Sequence, residues 1–122
     1  MTWEEVGALD VSRIVAILPV GATEAHGPHL PLGTDVVIAE AMALSGGGRL
    51  SDRGLDALIL PAIAYTPVPF AAAFPGTIGI SAATLTTTIT DIAASLGACG
   101  IRVLVIANAH LDPTHVRALY NA

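Results

Sequence analysis

The chain has 122 residues, 53% of them apolar and 12% charged, with 10 acidic against 5 basic side chains and a formal net charge of -5. That profile suits a single domain over residues 1–122 with one core, and it excludes a disordered tail. All five basic residues are scattered Arg, so no basic patch is available to neutralise phosphates, and neither nucleic acid nor an anionic membrane surface is an expected partner.

The N-terminus, Met1-Thr2-Trp3-Glu4-Glu5, lacks the basic start and apolar stretch of a signal peptide, and the single Cys99 forms no intrachain disulfide; a cytoplasmic location is expected. Ile14 to Val20 is a short apolar run with little alternation, which predicts a strand buried on both faces. A helix is expected from Thr34-Asp35 through Ala43, followed by a flexible connection over Gly46-Gly47-Gly48 and the polar stretch to Gly54. Ala57 to Tyr65 reads as the second buried strand. From Ala57 to Thr90 there is no charged residue, but Pro61, Pro67, Pro69 and Pro75, with Gly76 and Gly79, exclude a membrane helix. A loop and a second short strand are expected there, and an apolar loop of this kind is better covered by another subunit than by water, which predicts self-association.

Ser81 is a good N-cap for the next helix, where Leu85, Ile89, Ile92 and Leu96 form one stripe before Gly97 and Gly100 end it. Arg102 to Ala109 predicts the third buried strand, and Asp112-Pro113 starts a last helix running to the chain end. Strands alternating with helices predict an α/β fold with a parallel sheet covered by helices. Three strands and a short terminal helix leave little material to cover both faces and both edges. The expectation is the N-terminal part of something longer, or a small domain completed by oligomerisation.

The most informative stretch follows the first strand: Gly21-Ala22-Thr23-Glu24-Ala25-His26-Gly27-Pro28-His29-Leu30-Pro31-Leu32-Gly33-Thr34-Asp35. Glu24, His26, His29 and Asp35 thus lie beyond a strand's carboxyl end, where open α/β sheets bind ligands. The third strand runs out into Asn108-Ala109-His110-Leu111-Asp112, adding an imidazole and a carboxylate at the same edge. This mixture of nitrogen and oxygen donors suits zinc, manganese or iron, whereas calcium favours oxygen alone. The donor count favours two divalent ions per chain. Glu24 and His26, alternating in an extended segment, would each serve one ion while Asp35 bridges them. Two divalent cations against Glu24, Asp35 and Asp112 leave one net positive charge, which a bridging hydroxide neutralises. That hydroxide predicts hydrolysis of an amide-like bond.

The run PVGATEAHGPHLPLGTD resembles the signature of the creatininase family, the creatinine amidohydrolases with related formamide hydrolases and peptide-maturation proteins. NAHLD resembles the family's second metal motif, and FPGT at Phe74 to Thr77 is a further shared element. The resemblance implies a three-layer fold, mostly parallel sheet with flanking helices, and a homo-oligomer, a hexamer in the family. It implies Glu24 as ligand of one ion, His26 of the other, Asp35 as the bridging carboxylate and His110 on the ion of Glu24. Asp112 falls where creatininase has a glutamate on the second ion. The implied activity is hydrolysis of a C–N bond in a cyclic amide or formamide, a small-molecule substrate. Ala109 departs from the family's usual glycine, and a later segment carrying a glutamate and a histidine for proton transfer has no counterpart among these residues.

Each residue also has a simpler reading. Glu24 and His26 can serve as loop residues bonded to nearby backbone, Asp35 as a first-turn charge at a helix dipole, and Asp112 as a helix cap. His29 and His115 suit structural roles or the orientation of a ligand, with His115 also at home on the surface, and Cys99 suits a small buried hydrophobe. Gly21, Gly27 and Gly33 suit turns and lack the spacing of a nucleotide-binding fingerprint. The alternative to an enzyme is a non-catalytic metal-binding or assembly domain; a metal-free ligand-binding domain is the third reading.

Overall fold

The computed structural model describes residues 1–122. The apolar run Ile14–Val20 forms β1, the middle strand of a three-stranded parallel sheet whose edges are β2 (Asp56–Ile59) and β3 (Val103–Asn108), in the order β2-β1-β3. Every residue of β1 is buried. Its alternate side chains point to opposite faces. Leu18 and Val20 pack toward Leu85 and Ile89 of α3 (Ala82–Ala98) and Ala118 of α4 (Pro113–Tyr120), while Ile14 and Ala16 pack with Ile101 and with Leu96 at the other end of α3. Val15 and Ile17 pack toward Ala43 of α2 (Thr34–Ser51). Helices therefore flank both faces of a parallel sheet, the expected α/β architecture.

Both edge strands differ from the expectation of burial on two faces. Val103 and Val105 of β3 are 47% and 44% exposed, because α2 lies over β1 and β2 and barely reaches β3, and Ile59 at the end of the other edge strand is 36% exposed. The second strand is also shorter than Ala57 to Tyr65. Leu60 N–H still donates to the Ile17 carbonyl at 2.9 Å, but Pro61 has no N–H to continue the ladder, and pairing resumes only at a single bridge between Val20 and Ile63. The further short strand expected before Thr90 is likewise one bridge, Thr23 to Ile78.

The flexible connection expected at Gly46-Gly47-Gly48 is instead the last part of α2. A Cβ on Gly47 would sit 3.2 Å from the Ala57 Cβ, so the small residue lets α2 approach β2 closely, and this packing outweighs the low helix propensity of glycine. The chain also begins with a short helix, α1 (Trp3–Gly7), outside the expectations above. Thr2 Oγ1 accepts from the Glu5 N–H at 3.2 Å while Glu5 Oε2 accepts from the Thr2 N–H at 2.6 Å, the reciprocal cap of a Thr-x-x-Glu sequence.

α3 starts where expected, with Ser81 Oγ accepting from the Thr84 N–H at 3.1 Å. It ends before Gly100, whose φ of +87° only glycine adopts without strain. Cys99, expected inside, is exposed, because it caps the end of α3 beyond its packed stripe. No helix is long and apolar enough to cross a membrane.

Space around Gly46 is open, with nothing within 4 Å of an added Cβ. Gly46→Ala should therefore raise stability by roughly 0.5–1 kcal/mol in urea unfolding, while Gly47→Ala, pressed on Ala57, should gain less or lose.

Candidate metal centre

The sheet order makes the connections after β1 and β3 diverge on either side of the same pair of strands, and side chains from both loops meet there at the carboxyl ends. The loop after β1 is fixed on two sides. Glu24 N–H donates to the Leu32 carbonyl at 3.0 Å, Thr23 Oγ1 to the Ala64 carbonyl at 2.9 Å, and Ala25 N–H to Thr77 Oγ1 at 3.3 Å. Gly21 then passes so close to α2 that a Cβ would lie 2.5 Å from Val36 N and 2.7 Å from the Asp35 carbonyl carbon. Only glycine fits, and the close passage sets Asp35 beside the loop.

Asp35 is 5% exposed and faces two imidazoles. Its Oδ1 lies 2.8 Å from His26 Nε2, and its Oδ2 lies 3.1 Å from His110 Nδ1, which is also 3.1 Å from Glu24 Oε1. Donor atoms of Glu24, Asp35 and His110 all lie within 4.8 Å of one another. The structure thus brings together four of the five predicted ligands. The fifth, Asp112, caps α4: its Oδ1 accepts from the Thr114 N–H at 2.7 Å and the His115 N–H at 3.4 Å, its simpler reading in the sequence. His29 is exposed on the loop and bonds none of the cluster.

Hydrogen-bond roles identify which atoms lack a proton. A carbonyl only accepts, so His110 Nε2–H donates to the Pro67 carbonyl at 3.0 Å and, in the neutral ring, Nδ1 presents a lone pair. That lone pair faces two carboxylate oxygens. Proximity does not make hydrogen bonds here: Asp35 Oδ2 is buried at 3.1 Å from Nδ1 and still has no partner of acceptable geometry. Three converging lone-pair atoms, one of them an orphaned buried oxygen, fit a borderline divalent cation. His26 differs, because both of its ring nitrogens face acceptors: Nδ1–H donates to the Glu24 carbonyl at 3.1 Å and Nε2–H to Asp35 Oδ1 at 2.8 Å, so a cation here would take the place of the Nε2 proton. Burial of the His26 ring opposes its charged form, but the Glu24 carbonyl and the charges of Asp35 and Glu24 outweigh it and raise the pKa above 6.5.

Two supports of the site were not singled out in the sequence. Asn108 Oδ1 accepts from the His110 N–H at 3.1 Å, and its Nδ2 donates to the His110 carbonyl at 2.7 Å. The Pro67 carbonyl, a backbone group, has no side-chain signature to read. His115 is fully buried rather than on the surface, donating from Nε2 to Asn108 Oδ1 at 2.9 Å, with its ring centroid 4.7 Å from that of His110. Burial, reinforced by the neighbouring His110, pushes its pKa down to about 4.

The creatinine amidohydrolase family model, Creatininase, matches residues 1–122. The chain is 41% identical over 99 residues to a mycofactocin precursor peptide peptidase of Mycobacterium tuberculosis, covering 77% of this chain and 39% of that protein. It is 35% identical over 118 residues to a creatinine amidohydrolase of Pseudomonas putida, covering 92% and 44%. A solved creatininase described with manganese superposes with a TM-score of 0.82 at 31% identity, over 99% of this chain and 47% of that one. The chain spans less than half the length of these curated relatives.

A histidine whose pKa is lowered on folding is protonated more readily when unfolded, so its contribution to stability is complete above about 6.5 and is lost as pH falls toward about 4. Metal-free protein should therefore lose more melting temperature between pH 7 and pH 5 than His115→Gln does, measured by circular dichroism.

Proposed function

The chain belongs to the creatininase family, and on that premise we propose that it forms the metal site of a hydrolase that cleaves an amide C–N bond. The observation that carries the reading is the convergence of His110 Nδ1, Glu24 Oε1 and the unpartnered Asp35 Oδ2 on one point. These three would hold one divalent cation. His26 Nε2 and Asp35 Oδ1 would begin the site of a second, for which Asp112, also the cap of α4, is the remaining candidate ligand. Asp35 would then be the shared carboxylate. Zinc and manganese, with iron as a further candidate, suit this donor set.

The protein's own residues prepare the site in three ways. Glu24 and Asp35 supply the negative charge that offsets two cations. His110 donates its Nε2–H to the Pro67 carbonyl, which leaves the Nδ1 lone pair of the neutral ring inward, and His26 is oriented by its Nδ1–H to the Glu24 carbonyl, so that its Nε2 would bind a cation on losing the proton now shared with Asp35. Burial of Asp35 and His110 keeps bulk water from competing for the same donors. Divalent cations held there would supply Lewis acidity for the attack of water on a carbonyl carbon.

The substrate in this reading is a small cyclic amide or a formamide. A peptide bond is the second reading, favoured by the 41% identity to the mycobacterial peptide peptidase. We extend the proposal to a cytoplasmic homo-oligomer, since Phe70 and Phe74 are 91% and 57% exposed on the uncharged loop after β2 and a second copy would cover them.

The test is turnover of creatinine, an N-formyl amide and a short peptide by metal-loaded protein. At least one should be hydrolysed, with activity abolished by chelation, restored by manganese or zinc, and lowered by more than about 100-fold in Asp35→Ala. Metal uptake without turnover of any of the three would contradict the hydrolase and leave a metal-binding domain.

A further inference from the structure

The Asn108 side chain makes three hydrogen bonds, and all three go to the two histidines that follow it in the chain. Two of them close on the His110 backbone. A backbone N–H always donates and a carbonyl always accepts, so the amide orientation is fixed: Oδ1 faces the His110 N–H at 3.1 Å and Nδ2 faces the His110 carbonyl at 2.7 Å. The first of these is the side-chain turn that Asn favours two residues ahead of a backbone N–H. It bends the chain directly after β3, where a continued strand would carry position 110 past the site.

The third bond comes from His115. With Oδ1 settled as an acceptor, His115 Nε2 is the donor at 2.9 Å, so its tautomer is fixed as well. Its ring, fully buried, then stands 4.7 Å from the His110 ring at an interplanar angle of 57°. His110 is therefore held at three points: its backbone by Asn108, its Nε2–H by the Pro67 carbonyl, and its ring face by His115. Nδ1 is the one polar ring atom left to face Glu24 and Asp35.

We infer that Asn108 is a positioning residue of the metal centre, fixing the His110 backbone and, through His115, the ring, so that Nδ1 is presented to the cation. The inference rests on the metal reading of the site. It assigns to Asn108 no contact with metal or substrate.

Cobalt(II) is the probe, because its visible absorption reports ligand number and geometry and competition with a chelator gives its affinity. Asn108→Ala should weaken cobalt binding by roughly 10–100-fold and alter the visible spectrum. Asn108→Ser keeps a small neutral acceptor able to form a weaker version of the same turn, so it should restore part of the affinity and spectrum; it also carries the test should Asn108→Ala not fold. Thr86→Val provides the structural control. It removes the bond from Thr86 Oγ1 to the Ala118 carbonyl between α3 and α4, 3.0 Å long, and should lower the melting temperature with the cobalt spectrum unchanged. Wild-type affinity and spectrum in both Asn108 variants, or the same spectral change in Thr86→Val, would overturn the inference. A wild-type chain that takes up no cobalt would overturn the metal reading itself, before any variant is compared.

Discussion

A carboxylate buried with one oxygen unpartnered is the constraint on which the rest of the site depends. Asp35 sits in the first turn of α2, where the helix dipole favours a negative charge, but that stabilisation amounts to only about 0.3–1 kcal/mol. A buried polar group without a partner costs about 1–3 kcal/mol and more when charged. Glu24 beside it adds a second negative group, and in its neutral form His110 adds a lone pair in place of a proton. Such a cluster is unfavourable in an isolated polypeptide and becomes favourable when a cation occupies its centre. The interaction that organises the site is thus one that the chain's own atoms leave incomplete.

The fold supplies what this arrangement requires. A strand buried on both faces gives β1 a fixed register against β2 and β3, and the loops leaving β1 and β3 depart from adjacent positions. Gly21 lets the first loop run against α2, Thr77 and Ala64 hold its far side, and Asn108 turns the second loop inward. Each support is a short-range steric or hydrogen-bond constraint placed within a few residues of a ligand. Rigid elements carry these supports, which suits a centre that must hold donors apart before a cation arrives.

Parts of this were legible in the residues, for physical reasons that differ by element. β1 and α3 were readable because an unbroken apolar run and a Ser81 cap with a 3.6-residue stripe are strong local signals. The course of α2 through Gly46 to Gly48 was not, since local propensity argues against it and the deciding contact, Gly47 on Ala57, joins segments distant in sequence. The early end of β2 was available in Pro61 but hidden by the apolar residues on either side. In the site, the density of Glu24, His26, Asp35 and His110 around two strand ends was the signal. Asp112 shows the opposite case, because the residue type that binds a cation also caps a helix, and the cap is the role its Oδ1 fills. Asn108 stands in the NAHLD run but reads there as an ordinary amide with no role of its own, and the Pro67 carbonyl, being backbone, carries no signal.

Elemental analysis of the protein after incubation with zinc or manganese and gel filtration tests the central claim most directly, with Asp35→Ala and His110→Ala run beside the wild type. About two ions per chain in the wild type, with retention lost in both variants, is the predicted result for a paired site that shares Asp35. A wild-type chain that retains no metal, or variants that retain as much as the wild type, would contradict it.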